Sequence, residues 1–195
     1  MNPYLTMPGI FKETSAGFVT YSIGDEMLKR REIDCVGEIT AELVHSLILQ
    51  LRYLQAIEPE EEITMYINSQ GGEVIAGLAL YDVMQALTCP IKTVCMGQAS
   101  SMGALLFISG NKREMLKHSK VMIHDPLIGN VGGNALTIER VADNIMKTRE
   151  ITANIIAEHT GKTLKRILEI TAVDSYFDAD EAVEFGLADS IIERI

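Results

Sequence analysis

The chain has 195 residues, of which 47 % are hydrophobic and 23 % charged, and its formal net charge is −10. That length suits one domain with a sizeable core, and the acid excess argues against a sequence-wide basic surface for nucleic acid. No apolar run approaches the ~18 residues of a membrane-spanning helix, which argues against a membrane role.

The first residues, "MNPYLTMPGIFKETSAGF", lack the basic region and long apolar stretch of a signal peptide. Residues 1–20 carry no clear period and are expected to form a mobile arm, with residues 21–195 as a single domain. Lys29, Arg30 and Arg31 make a short basic triplet, which reads as a solvated segment. Cys35, Cys89 and Cys95 show neither CxxC nor Cys/His spacing; they read as small buried thiols, and a cytoplasmic location is expected.

From Ile39 the periods sharpen. Leu43, Leu47, Leu51 and Leu54 share one face of a predicted helix with Thr40 as its N-cap. "ITMYINS" (63–69) alternates as a strand, "QGG" ends it, and 74–87 reads as a helix stopped by Pro90. "IKTVCMG" (91–97) is a short strand, "SMGALLFIS" a buried helix, and "VMIHD" (121–125) a further strand. A long helix follows over 135–161, with Gly161 at its C-terminal stop and Lys147 and Arg149 on its polar side. Two shorter helices near 163–172 and 178–185 precede a last strand near 188–193. Strands alternating with helices imply βαβ units and a largely parallel sheet, whose carboxyl edge would hold "NSQGG" and "GQASS".

Two turns at that edge carry candidate chemistry. In "INSQGG" the glycines Gly71 and Gly72 either satisfy a tight turn or aim backbone N–H groups at a substrate oxygen; no GK[ST] follows, which disfavours phosphate binding. In "GQASSMG" a helix N-terminus offers free N–H groups to a developing oxyanion. Either serine there could be a simple cap. Ser100 is the better candidate cap, which leaves Ser101 free to act as a nucleophile and the Met102 N–H as an oxyanion donor.

The base would be one of four histidines. His45 and His159 lie within or near the end of a helix and read as structural, and His118 sits in a polar turn. His124 ends a strand beside a possible cleft. Asp125 and Asp174 are both candidates for the orienting carboxylate. The chain has ten serines, four histidines and nine aspartates, so spacing alone selects no triad.

Five segments, "YINSQGGEVIAGLALYDVMQ", "CMGQASSMGALL", "VMIHDPLIG", "AEHTGKTL" and "DADEAVEFGLADSI", occur in an order that resembles the ClpP family of self-compartmentalising serine proteases. The resemblance covers most of the chain from about residue 28. It implies an α/β fold, a crotonase-like βαβ superhelix with a protruding strand–helix handle over about 125–160, and an arm that forms an axial loop. It implies Ser101 as nucleophile, His124 as base and Asp174 as the third member. Gly72 and Met102 would supply the oxyanion N–H groups, and the backbone near Val74 and Leu127 would pair with an extended substrate.

It further implies heptameric rings, one or two stacked, and an AAA+ Clp unfoldase that spends ATP and feeds in unfolded polypeptides. The subunit itself would need no cofactor or metal.

Several positions depart from the family pattern. Gln70 replaces a proline, and Asp125 follows the histidine where glutamine is usual, adding a charge that would raise its pKa or compete with Asp174. Val173 and Thr137 stand where a ring-to-ring ion pair is expected. Thr64, Ala86 and Glu114 thin the apolar pocket for the unfoldase, which Tyr66 and Met96 still fit. These departures point to a divergent paralogue working in a mixed assembly with a second ClpP-type ring. A structural ring subunit with a misaligned triad and a crotonase-fold acyl-CoA enzyme are the competing readings; a Ser/Lys peptidase is weaker, since no segment resembles that family's lysine motif.

Overall fold

The computed structural model describes residues 9–195; the first eight residues of the expected arm lie outside the described residues. Residues 9–22 form an antiparallel hairpin, β1 (Gly9–Thr14) and β2 (Gly17–Ser22), in a two-stranded sheet of its own. Ser22 then caps α1 (Ile23–Lys29) with a full capping box to Asp25.

A seven-stranded sheet carries the domain. β3 (Glu32–Ile39), α2 (Ala41–Ile57), β4 (Ile63–Gly72), α3 (Val74–Ala86), β5 (Ile91–Ser100), α4 (Met102–Ile108) and β6 (Lys112–Leu116) make consecutive parallel crossovers in the order β3-β4-β5-β6. β7 (Lys120–Ile123) follows, then α5 (Ala135–Thr160), α6 (Leu164–Ile170), β8 (Ser175–Phe177), α7 (Ala179–Phe185) and β9 (Ser190–Ile192), which pairs with β6. This is a mixed α/β fold with a largely parallel sheet and seven helices among the described residues. No helix among them is long and apolar enough to cross a membrane.

β5 serves two neighbours. Its first half pairs with β6 and its second half, Gln98–Ser100, pairs with Lys120–Met122 of β7. Gly97, at φ 96°, marks the change, and the Ser119 hydroxyl there accepts from the Gly97 N–H at 2.9 Å and donates to the Cys95 carbonyl at 2.8 Å. That change of partner carries the end of β5 alongside the strand that leads to His124.

The core lies between the sheet and its helices. α2 turns Val44, Leu47, Leu51 and Leu54 inward, and α4 is buried on every side, as its lack of polar residues dictates. In β3, Ile33, Cys35 and Ile39 are buried while Asp34, Val36 and Glu38 face out, a period-2 pattern in which Gly37 takes one inward place.

Three expectations are corrected. Of the basic triplet, Lys29 and Arg30 are exposed as expected, but Arg31 is half-buried: its guanidinium donates to the carbonyls of Leu54, Glu58, Glu61 and Glu62 at 2.9–3.2 Å, closing the C-terminal end of α2. The stretch after His124 holds no strand; residues 124–134 have no regular structure before α5 begins. Arg149 leaves the polar side of α5 and is half-buried against Asp125, because that carboxylate turns toward the helix.

Candidate active site

The carboxyl ends of β4 and β5 lie side by side and each turns into a helix. At the first turn the Ser69 hydroxyl, fully buried, accepts from the Gly71 N–H at 3.1 Å. Gly71 has φ 100°, and a Cβ there would lie 2.7 Å from Ser101 Cβ. A Cβ on Gly72 would lie 2.3 Å from the Ile39 carbonyl oxygen. Only glycine lets the chain approach both neighbours so closely.

At the second turn Ser101 adopts φ 55° and ψ −121°. Such backbone costs about 1–3 kcal/mol and persists only where its surroundings hold it. Here the Ser101 N–H donates to the Met122 carbonyl at 2.8 Å, and Gly71 fits against its Cβ.

The capping role expected of Ser100 is not observed. β5 runs to Ser100, which pairs with Met122, so the N-cap position of α4 falls on Ser101. Ser101 makes no side-chain cap bond either. Its hydroxyl instead donates to His124 Nε2 at 2.8 Å.

His124 is the first residue beyond β7. On its other side Nδ1 lies 3.1 Å from Asp174 Oδ1. An ionised carboxylate only accepts, so Nδ1 carries the imidazole proton and Nε2 is left to accept from the serine. The antiparallel β7–β8 ladder pairs Ile123 with Ser175, which sets Asp174 beside His124. Asp125 does not compete for the ring: one of its oxygens accepts from Arg149 and the other from Thr171. The imidazole is 10 % exposed, whereas the Asp174 carboxylate is 58 % exposed.

A cleft of about 310 Å³ opens over Ser101 and His124, and Gln70, Gly72, Val74 and Leu127 also line it. Leu127 is exposed on its rim. Met102 lies beneath: its side chain is buried against Gly77 of α3. Its backbone nitrogen would lie 3.2 Å from a Cβ built on Gly71, and as the first residue of α4 it has no intrahelical acceptor for its N–H. Of the residues singled out in the sequence, Gly72, Val74, Ser101, His124 and Leu127 line this cleft, Asp174 stands behind His124, and Met102 is near through its backbone.

The other histidines lie elsewhere. His45 and His118 are exposed. His159 hydrogen-bonds Tyr81 Oη at 3.3 Å, and burial pushes its pKa down. Burial pushes the Cys35 and Cys95 thiols up to about 12, which leaves them unreactive.

Thr64, Tyr66, Met96 and Glu114 fall on the outer face of the sheet, where Glu114 is buried and pairs with Lys112 at 2.6 Å. Ala86 is exposed near the end of α3. Thr137 is engaged with the α5 cap residue Asn134, and Val173 is 68 % exposed.

What sequence reasoning missed is the backbone strain at Ser101 and the Asp125–Arg149–Thr171 contacts. A signal for the second existed in the charge of Asp125, but nothing in the chain order marked Arg149 as its partner.

The arrangement can carry acyl transfer: a hydroxyl held by a base, the base held by a carboxylate, and first-turn N–H groups nearby. The family model of the Clp protease matches residues 15–195. With nearly the whole chain matched, and a Clp-type peptidase as the activity that family carries, the chain belongs to the Clp protease family.

Proposed function

We propose that the chain is the proteolytic subunit of a self-compartmentalising protease, a serine endopeptidase that cleaves unfolded polypeptides delivered by an AAA+ Clp unfoldase. The observation that carries this reading is the continuous contact from Ser101 through His124 to Asp174, at 2.8 Å and 3.1 Å. An extended peptide would lie along the backbone near Val74 and Leu127 and place a carbonyl over Ser101. His124 takes the Ser101 proton as Oγ attacks, and the N–H groups of Gly72 and Met102 stabilise the oxyanion. His124 returns the proton to the leaving amine. It then activates water to hydrolyse the acyl-enzyme, with Asp174 holding the imidazole throughout.

Assembly into rings through copies of this chain is supported by the outward half of α5, where Leu136, Ile138 and Met146 are exposed. A mixed assembly with a second ClpP-type ring is the second reading. It is favoured by the Glu114–Lys112 ion pair on the sheet face where apolar contacts to an unfoldase would be needed. In that reading the partner ring docks the unfoldase.

The test is labelling by a fluorophosphonate probe together with turnover of a fluorogenic peptide, with this chain alone and mixed with its host's other Clp ring. Labelling at Ser101 and turnover abolished by Ser101→Ala are expected. No labelling in either preparation would leave a structural subunit, and turnover of acyl-CoA that survives Ser101→Ala would point to the crotonase chemistry. No gain in the mixture over either ring alone would remove the mixed assembly.

A further inference from the structure

His124 is tied down on both sides. Before it, Ile123 pairs with Ser175 in the β7–β8 ladder. After it, the Asp125 N–H donates to the Thr171 carbonyl at 2.7 Å, and the Thr171 hydroxyl donates to Asp125 Oδ1 at 2.7 Å. Asp174 lies between Thr171 and Ser175. The two neighbours of His124 are therefore bonded to the two ends of the segment that carries its carboxylate. The first tie is main chain alone, which almost any sequence supplies. The second adds a side-chain bond, Thr171 hydroxyl to Asp125 carboxylate, to its main-chain one.

Arg149 completes the second tie from α5. Its Nε donates to Asp125 Oδ2 at 2.5 Å and its Nη2 to the Leu168 carbonyl at 3.1 Å. One guanidinium thus joins the residue after His124 to the last turn of α6, from which the Asp174 turn departs. Both oxygens of Asp125 are engaged, and neither by the imidazole.

A fixed backbone matters here because Asp174 is 58 % exposed. An exposed carboxylate gains little from attraction alone, since water screens it and its side chain is free to turn away. Val173 beside it is 68 % exposed and shields it little.

We propose that Asp125, Arg149 and Thr171 form a clamp that sets the separation of His124 and Asp174, and through it the tautomer and aim of the base. They are positioning residues. The proposal rests on the serine-peptidase reading above, and it makes Asp125 a support for Asp174 where the sequence suggested a rival.

The test uses the full chain in its assembled state. Thr171→Val keeps the side-chain volume and removes the hydroxyl; it is expected to lower kcat for a peptide, and the rate of fluorophosphonate labelling, about tenfold with KM little changed. Asp125→Ala is expected to lower them about a hundredfold. In an Asp174→Asn background, Thr171→Val should cause no further loss, because the clamp acts only through Asp174. A loss that persists undiminished in that background assigns a general structural role and overturns the proposal, as does an unchanged kcat in Thr171→Val. If Asp125→Ala does not fold, Thr171→Val decides alone. Activity retained in Ser101→Ala would overturn the peptidase reading instead. The clamp is then judged from crystal structures of the wild type and Thr171→Val: it stands if the His124–Asp174 contact opens in the variant and falls if the distance is unchanged.

Discussion

The turns after β4 and β5 stand side by side at one edge of the sheet and meet opposite demands. The first removes side chains: Gly71 and Gly72 bring backbone against Ser101 and Ile39, where any Cβ would collide. The second keeps a side chain where the backbone resists one, since Ser101 holds φ 55°. Space is cleared at one turn so that a strained residue can be seated at the other. Glycine admits the main chain at the first turn, and the second holds a hydroxyl on backbone of positive φ.

The sharpest way to break that contrast is Ser101→Gly beside Ser101→Ala. Both should reduce peptide turnover by about 10⁴-fold or more. Ser101→Gly alone should raise the thermal midpoint, because glycine adopts a positive φ without penalty. A midpoint that falls in Ser101→Gly would show that the conformation is not strained.

At the opposite turn, Gly72→Ala should destabilise the fold by roughly 3 kcal/mol, as a methyl group cannot share space with a fixed backbone oxygen. Denaturant melts of the variant and wild type measure this directly. Ser69→Ala should cost less, about 1–3 kcal/mol, by leaving the Gly71 N–H without its buried acceptor. A Ser69→Ala protein with wild-type stability and turnover would mean that Gly71 is placed by its neighbours alone.

The smallest effect lies away from both turns. Burial holds the His159 pKa below its ordinary value of 6.5, with Glu158 opposing and Arg113 reinforcing the shift. The unfolded chain therefore binds a proton that the folded one refuses, and stability falls as pH drops through about 6.5. His159→Gln should flatten that part of the stability–pH curve while leaving the region above pH 7.5 unchanged. An equally steep fall in the variant would place the titrating group elsewhere.

Much of this architecture is readable from apolar periodicity. α2 and α3 fall within a residue or two of where Leu47, Leu51 and Pro90 put them, and Thr40 caps α2 as its chemistry predicts. β3 is less legible, because Gly37 fills an inward place between Cys35 and Ile39 with no apolar side chain. β6 and β8 are short, and β6 carries Lys112, Arg113 and Glu114, so neither has a strand-like period of its own. Their place is decided by pairing with β5 and β7, which is non-local. The same holds at the site. Residue types and order could nominate Ser101 and His124, but the end of β5 was set by its late change of partner to β7. That change moved the cap position from Ser100 to Ser101. The fate of Asp125 depended on a guanidinium 24 residues away.

The positive φ of Ser101 also has a temporal meaning. Its conformation exists only while the Met122 carbonyl and Gly71 confine it. A peptide copied from residues 96–104 would relax to an ordinary backbone, and its serine would be an alcohol like any other. The proposed reactivity is therefore a property of tertiary structure, absent from the nascent chain until β7 has docked on β5. A subunit in which that pairing has not formed would be chemically silent at this serine.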